Sequence, residues 1–250
     1  MQEVKSLLDI LQQCKIDDTT NIIQDKIYFV IGNAVIGSEG NFVSLSGQAK
    51  SGKSNFISAI IAAGISKREI FGINIITDDE KYKIALFDTE QSPYDIKRKT
   101  YIIKKLAKVE NIYEKFDCYS MVEQSSKNII RLMITYLQNN PECAVLILDG
   151  LLDAIDNMND EKESKLVIKA IRKLSKKYKC LIITVLHQSK KDKMSIGHIG
   201  SASDRYAQST LEIEKNDGNF IMRPKLLRSA GSFEAIEIFY DEQKKSLNKI

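Results

Sequence analysis

Two rhythms of apolar positions alternate along the chain. Short runs rich in apolar residues, at Phe42–Ser46, Lys83–Asp88, Phe116–Met121, Ala144–Asp149 and Cys180–Leu186, read as strands. Between them, apolar residues recur at three- and four-residue spacing, which predicts helices over 53–65, 93–109, 127–138 and 161–178. In the last of these the stripe is Leu166, Val167, Ala170, Ile171 and Leu174. Pro93 suits a first helical turn with Ser92 as its cap, and Pro141 ends the helix over 127–138. Ala144–Asp149 holds no polar residue until its end, which predicts burial on both faces, as in a parallel sheet.

The flanks are less regular. Residues 3–14 predict an amphipathic helix with Val4, Leu7, Leu8, Ile10 and Leu11 as its apolar stripe, and 15–26 a polar connection. Tyr28–Gly32 reads as a short strand, Gly37–Asn41 as a turn, and 66–82 as a connection with an edge hairpin near Asn74–Thr77. Beyond Ser189 the chain turns basic and then rich in Gly and Ser. Three strand-like runs follow, at Thr210–Glu214, Phe220–Arg223 and Ala235–Tyr240. Strands alternating with helices predict an α/β fold, a mainly parallel sheet flanked by helices with C-terminal antiparallel strands. No linker divides the chain, so residues 1–27 are expected to be a helix and connection, and 28–250 one domain.

Composition narrows the chemistry. Hydrophobic residues make up 43% and charged residues 28%, which suits a packed soluble domain. A net charge of +4 permits a nucleic-acid partner without arguing for one. No Cys-x-x-Cys pair occurs, and Cys143 and Cys180 sit in apolar runs as small core residues, which argues against a disulfide framework or a zinc site. His187 and His198 are the only histidines, so a multi-histidine metal centre is excluded. No run nears the roughly 20 apolar residues that span a bilayer, and the N-terminus lacks the pattern of a signal peptide. A cytoplasmic protein with no membrane partner is expected.

Gly47-Gln48-Ala49-Lys50-Ser51-Gly52-Lys53-Ser54 matches G-x-x-x-x-G-K-[ST] at every fixed position, between an apolar strand and an apolar helix. Glycines let such a loop turn its N–H groups toward phosphate oxygens, and the helix behind it directs its positive end at the same anion. Lys53 supplies a mobile charge for the β- and γ-phosphates, and the Ser54 hydroxyl is a hard ligand for Mg²⁺. A nucleoside triphosphate, foremost ATP with Mg²⁺, is the expected ligand. Asp149 ends an apolar strand in the manner of the second nucleotide motif, whose carboxylate holds Mg²⁺. Glu90 follows another strand, where a carboxylate can orient and deprotonate water. His187 and Gln188 end a third, where they can touch the γ-phosphate. A solvated loop acid or an ordinary polar strand end explains either of these two equally well from spacing alone.

Taken in order, GQAKSGKS, FDTEQSP, AVLILDG and ITVLHQSK resemble the RecA-like P-loop ATPase core, nearest to the hexameric-helicase branch with its RepA-type and DnaB-type proteins of mobile elements. The likeness covers about residues 28–240. It implies an ATP hydrolase acting in replication or mobilisation of such an element, with Glu90 as catalytic glutamate and His187-Gln188 as γ-phosphate sensor. It also implies a homo-oligomer, a hexamer foremost, in which a basic finger enters the neighbouring site. Arg228 is the first choice for that finger, Lys225 the second and Arg205 a rival. Single-stranded nucleic acid would be held by Lys190, Lys191 and Lys193, although that loop has no aromatic platform. Lys169–Lys179 reads as a solvated helix face. Two other readings stand beside this one. The first is a nucleotide-switched regulatory or assembly ATPase without translocation. The second, a small-molecule kinase, is disfavoured because residues 116–140 contain only Arg131.

Overall fold

The computed structural model describes residues 6–18, 20–189, 196–229 and 231–250. Helix α1 (Leu7–Cys14) is followed by strands β1 (Ile27–Ile31), β2 (Ala34–Ser38) and β3 (Phe42–Gly47), helix α2 (Lys53–Ser66) and strand β4 (Ile73–Ile75). Then come β5 (Lys83–Asp88), α3 (Pro93–Ala107), β6 (Phe116–Ser120), α4 (Ser126–Asn139), β7 (Cys143–Asp149) and a 3₁₀ turn (Leu151–Ala154). The chain continues with α5 (Glu161–Tyr178), β8 (Leu181–His187), α6 (Gly197–Tyr206), β9 (Ser209–Asn216), β10 (Asn219–Leu227), β11 (Ile236–Asp241) and β12 (Ser246–Lys249).

Among the described residues the main sheet runs β12-β11-β10-β9-β3-β8-β7-β5-β6. From β9 to β6 the pairings are parallel, and from β9 outward to β12 they are antiparallel. The expected α/β architecture with its antiparallel extension is the one observed. Strands β7 and β8 lie at the centre and are buried along their length apart from His187, which explains their unbroken apolar runs. Helices α2 and α3 cover one face through Phe56, Ile57, Ile60, Ile61 and Ile103. Helices α4 and α5 cover the other through Ile129, Met133, Leu137, Ile168 and Ile171. Ser92 caps α3 by accepting from the Asp95 N–H, with Pro93 behind it, as its sequence predicts.

Four elements depart from the expectations. Gly37 lies inside β2 instead of opening a turn, and the turn is confined to Glu39-Gly40. A Cβ on Gly37 would stand 2.8 Å from the Leu181 side chain, so this glycine serves close packing between sheets. Strand β4 pairs antiparallel with β1 in a small second sheet, β2-β1-β4, and Ile73 bridges back to Ile70 around the Phe71-Gly72 turn, just before the hairpin expected near Asn74–Thr77. That sheet roofs α2, which is why α2 is apolar nearly all round. Helix α6 and strand β12 were not expected; both are short and polar in sequence.

Helix α1 carries a capping box between Ser6 and Asp9, while Leu7, Leu8, Ile10 and Leu11 of its stripe are exposed. Val4 lies outside the described residues. Among the described residues, no helix is long and apolar enough to cross a membrane.

Candidate active site

Parallel register brings the ends of four strands together. Gly47 pairs with His187, Asp149 with Val185, and Asp88 with Asp149. The loop after β3 curls through left-handed backbone at Lys50 (φ 63°) and Gly52 (φ 95°), the kind of path that can turn backbone N–H groups toward an anion. Both fixed glycines are also required by packing. A Cβ on Gly47 would lie 2.3 Å from the Ile213 carbonyl oxygen, and one on Gly52 would lie 2.4 Å from the Phe220 ring. The Ser51 hydroxyl is buried in the loop without a hydrogen-bond partner among the described residues, as a group shaped to face an anion would be.

Lys53 opens α2, is itself buried, and reaches back across the loop. Its ammonium donates to the carbonyls of Gly47 at 3.0 Å and Gln48 at 2.9 Å and lies 3.3 Å from His187 Nδ1. An ammonium can only donate, so Nδ1 accepts and the ring proton sits on Nε2. His187 Nε2 in turn lies 2.7 Å from Glu90 Oε1 and donates to it. Burial pulls the Lys53 ammonium below its usual range, against Glu90 and Asp149. The His187 hydrogen bond holds Glu90 below the usual carboxylate range, against burial and helped by the charge of Lys53 and Lys99.

A second polar cluster lies beneath the loop. Lys99, from the middle of α3, is 5% exposed and donates to Asp88 Oδ2 at 2.7 Å and Asp149 Oδ2 at 3.2 Å. Burial acts against the Lys99 charge, but Asp149 and Asp88 outweigh it and hold the ammonium above its usual value. Burial pushes the Asp149 carboxyl up to about 6 against the pull of Lys99. Asp88 Oδ1 accepts the N–H groups of Glu90 and Gln91, which fixes the turn carrying Glu90. Thr89 donates to the Asp149 carbonyl and to Asp153 Oδ2, stapling that turn to the end of β7. Gln91 donates to the Ser54 hydroxyl at 3.1 Å.

The donor set fits Mg²⁺ bound together with phosphate. Ser54 and Asp149 are hard oxygen donors near the loop, and two carboxyl groups against one ammonium leave surplus negative charge. Among the described residues no cluster of three His, Cys, Asp or Glu could hold a metal ion alone. The remaining positions therefore fall to phosphate oxygens and water, the manner in which Mg²⁺ is usually held in nucleotide sites.

Gln188 is buried and donates to Ser46 and Glu212, bracing β8 against β3 and β9, and it lines a hollow beside the loop together with Gln48, Ala49, Lys50 and Ser51. Other expected residues lie elsewhere. Lys225 pairs with Asp204 at 2.9 Å. The Arg228 guanidinium donates to the Arg205 carbonyl. Its backbone N–H bonds Gln208, whose own N–H bonds Phe42 at the start of β3. Arg228 is thus at the opposite end of the sheet from its own phosphate loop. Lys190, Lys191 and Lys193 lie outside the described residues. Asp88 and Lys99 were missed as site residues. Asp88 was legible as a strand-end acid, whereas Lys99 is one of several cations in KRKTYIIKK and nothing local marks it as the buried one.

Comparison with known proteins agrees with this fold. A family profile described as an AAA domain (AAA_25) matches residues 36–193. None of the curated proteins matches the sequence. Among solved structures, the crystal structure of the RadB recombinase superposes with a TM-score of 0.56 at 13% identity, covering 84% of this chain and 91% of that one. At that identity the likeness concerns the fold.

Proposed function

Because the chain belongs to the AAA_25 family of AAA domains and folds as a RecA-like P-loop ATPase, we propose that it is a Mg²⁺-dependent ATP hydrolase acting on nucleic acid. Residues 28–250 form its ATPase domain. One observation carries the reading: Lys53, Glu90, Asp149 and His187 converge from four strand ends on one phosphate loop. The finer assignment follows the sequence resemblance. It is a cytoplasmic oligomer, a hexamer foremost, of the RepA-type or DnaB-type helicase branch, working in replication or mobilisation of a mobile element.

The loop amides, Ser51 and Lys53 hold the triphosphate, and Ser54 and Asp149 hold Mg²⁺. When bound, Mg²⁺ neutralises charge on the β- and γ-phosphates. The hollow beside the start of α2, lined by Asn55, Arg98, Tyr101, Phe220 and Tyr240, receives the base and ribose. Glu90 orients the attacking water through Oε2, the oxygen His187 leaves free. A carboxylate held below its usual range is a weak base, so Glu90 aligns the water more than it deprotonates it early. That division suits a loose, metaphosphate-like transition state. His187, bonded to both Lys53 and Glu90, couples occupancy of the γ-phosphate position to the orientation of that carboxylate. A neighbouring subunit contributes Arg228, with Lys225 as second choice, and Lys190, Lys191 and Lys193 grip single-stranded nucleic acid.

The test is ATP hydrolysis with and without single-stranded DNA, alongside a mass measurement. Glu90→Gln should keep Mg·ATP binding and lose about 10²–10⁴-fold in turnover; unchanged turnover removes Glu90 from this role. Mixing Glu90→Gln with Arg228→Ala subunits should restore activity if Arg228 acts in trans. Hydrolysis indifferent to DNA would favour a nucleotide switch over a motor.

A further inference from the structure

At the far end of the sheet, about 16 Å along β3 from the phosphate loop, a groove of about 920 Å³ opens between α5, the start of β3 and the end of β10. Lys169, Arg172, Lys173 and Lys176 line it from α5. These positions stand at i, i+3, i+4 and i+7, so they form one stripe. Helix dipole accounts for part of it, since Lys176 and Lys177 lie in the last turn of α5. It does not account for Lys169 and Arg172 farther in, or for Lys179 and Arg228, which enter the same groove from beyond the helix and from the end of β10.

All six cations are exposed, and none is in an ion pair among the described residues. The Arg172 guanidinium lies over the Tyr206 ring at 5.0 Å, which fixes its direction. Lys26, also in the lining, is committed to Asp78 and Glu80. Against the six stand Asp25 and Glu39 in the lining, so the groove keeps an excess of positive charge. Like charges at helical spacing repel one another, and a polyanion laid along the stripe relieves that repulsion. From Lys169 to Lys176 the helix rises about 10.5 Å. A nucleic-acid strand carries one phosphate per roughly 3.4 Å of axis, so the stripe spans about three phosphates. Of the two aromatic residues in the lining, Phe42 is buried and Tyr206 lies under Arg172, which favours contact with backbone over stacking of bases.

We propose that this groove is a second nucleic-acid site, which tracks the sugar–phosphate backbone without reading sequence and lies at the end of the sheet opposite the ATP site. It rests on the reading that the protein acts on nucleic acid, but not on the phosphate loop, on Lys190, Lys191 and Lys193, or on Arg228, whose commitment to a neighbouring subunit's site leaves five cations in the groove.

The test is nucleotide-free binding of labelled duplex and single-stranded DNA across a salt series, for the wild type and a Lys169→Gln, Lys173→Gln, Lys176→Gln triple variant. Equal melting temperature and equal DNA-free ATP hydrolysis would show that the variant is folded. The variant should bind about tenfold or more weakly, with a log–log salt slope shallower by about one per lysine removed. The tighter of the two DNA forms identifies the natural one. Unchanged affinity and slope overturn the site. So does displacement of DNA by polyglutamate as readily as by unlabelled DNA, which would indicate an acidic protein partner. A change in solution mass with DNA binding intact also overturns it, because the groove would then be a subunit interface. If the wild type binds neither DNA form, the nucleic-acid reading itself fails, whereas unchanged binding by the variant fails the groove alone.

Discussion

The two ends of the parallel sheet treat charge in opposite ways. Where the strands finish, Lys99 is enclosed by Asp88 and Asp149, and Lys53 is tied through His187 to Glu90. Where they begin, Lys169, Arg172, Lys173 and Lys176 stand exposed with no acidic partner among the described residues. Matched, buried charges fix geometry, because each partner removed leaves another stranded in a medium that solvates it poorly. Unmatched, exposed charges fix little and act instead over a Debye length on whatever anion approaches. The first arrangement suits chemistry, which needs atoms held to fractions of an ångström, and the second suits capture.

The sharpest way to break this contrast is Lys99→Met. It leaves Asp88 and Asp149 facing each other without the ammonium, and should cost about 3–5 kcal/mol in denaturant unfolding. Adding Asp88→Asn should recover part of that loss, since the stranded charge is the cause. A loss under about 1 kcal/mol with no recovery would mean the pair is not coupled as the distances indicate.

Gly150→Ala attacks the same end through the backbone. Gly150 has φ +114°, and a Cβ there would lie 1.9 Å from Thr89 Oγ1 and 2.8 Å from Asp153 Oδ2. Left-handed strain alone costs roughly 1–3 kcal/mol, and the clash pushes apart the staple between the Glu90 turn and β7. Unfolding stability should fall by about 2 kcal/mol, with hydrolysis falling further than stability explains.

How much of this end was legible depends on the range of the interactions. The loop at 47–54 and the run ending at Asp149 are written in consecutive residues, so spacing alone exposes them. Asp88 and Glu90 were visible as a pair of strand-end acids, but which one would be buried depends on how α3 lies across β5 and β7. The same rotation selects Lys99 from its neighbours Lys97, Lys104 and Lys105. Gly37 misled because a glycine that permits sheet packing and one that permits a turn look alike in sequence. Arg228 was placed by resemblance alone, and only the register of β9 and β10 shows how far it stands from its own loop.

His187→Leu is a finer probe, since it keeps the bulk and removes the ring's bonds to Lys53 and Glu90. The bond to Glu90 holds that carboxylate in its charged form below the usual range, and burial opposes it. Without the bond, burial prevails and the carboxyl takes up its proton at a higher pH. The acidic limb of the hydrolysis profile should therefore move upward in pH. By the same sign, the bond stabilises the fold above the ordinary Glu value of 4.5 and ceases to do so as pH falls through the lowered folded value. An acidic limb unmoved in the variant would show that Glu90 is not the group being titrated.

The smallest expected effect is the one that separates the two ends most cleanly. Lys173→Gln removes an exposed charge that touches no acid, and it lifts repulsion from Lys169, Lys176 and Lys177 on the same helix. Stability should stay within about 0.5 kcal/mol of the wild type, on the stabilising side. A charge that holds the fold together cannot be removed at that cost, and one that waits for a partner can. If Lys173→Gln lost stability on the scale of Lys99→Met, the cations of α5 would be part of the scaffold, and the contrast between the two ends would reduce to one of exposure alone.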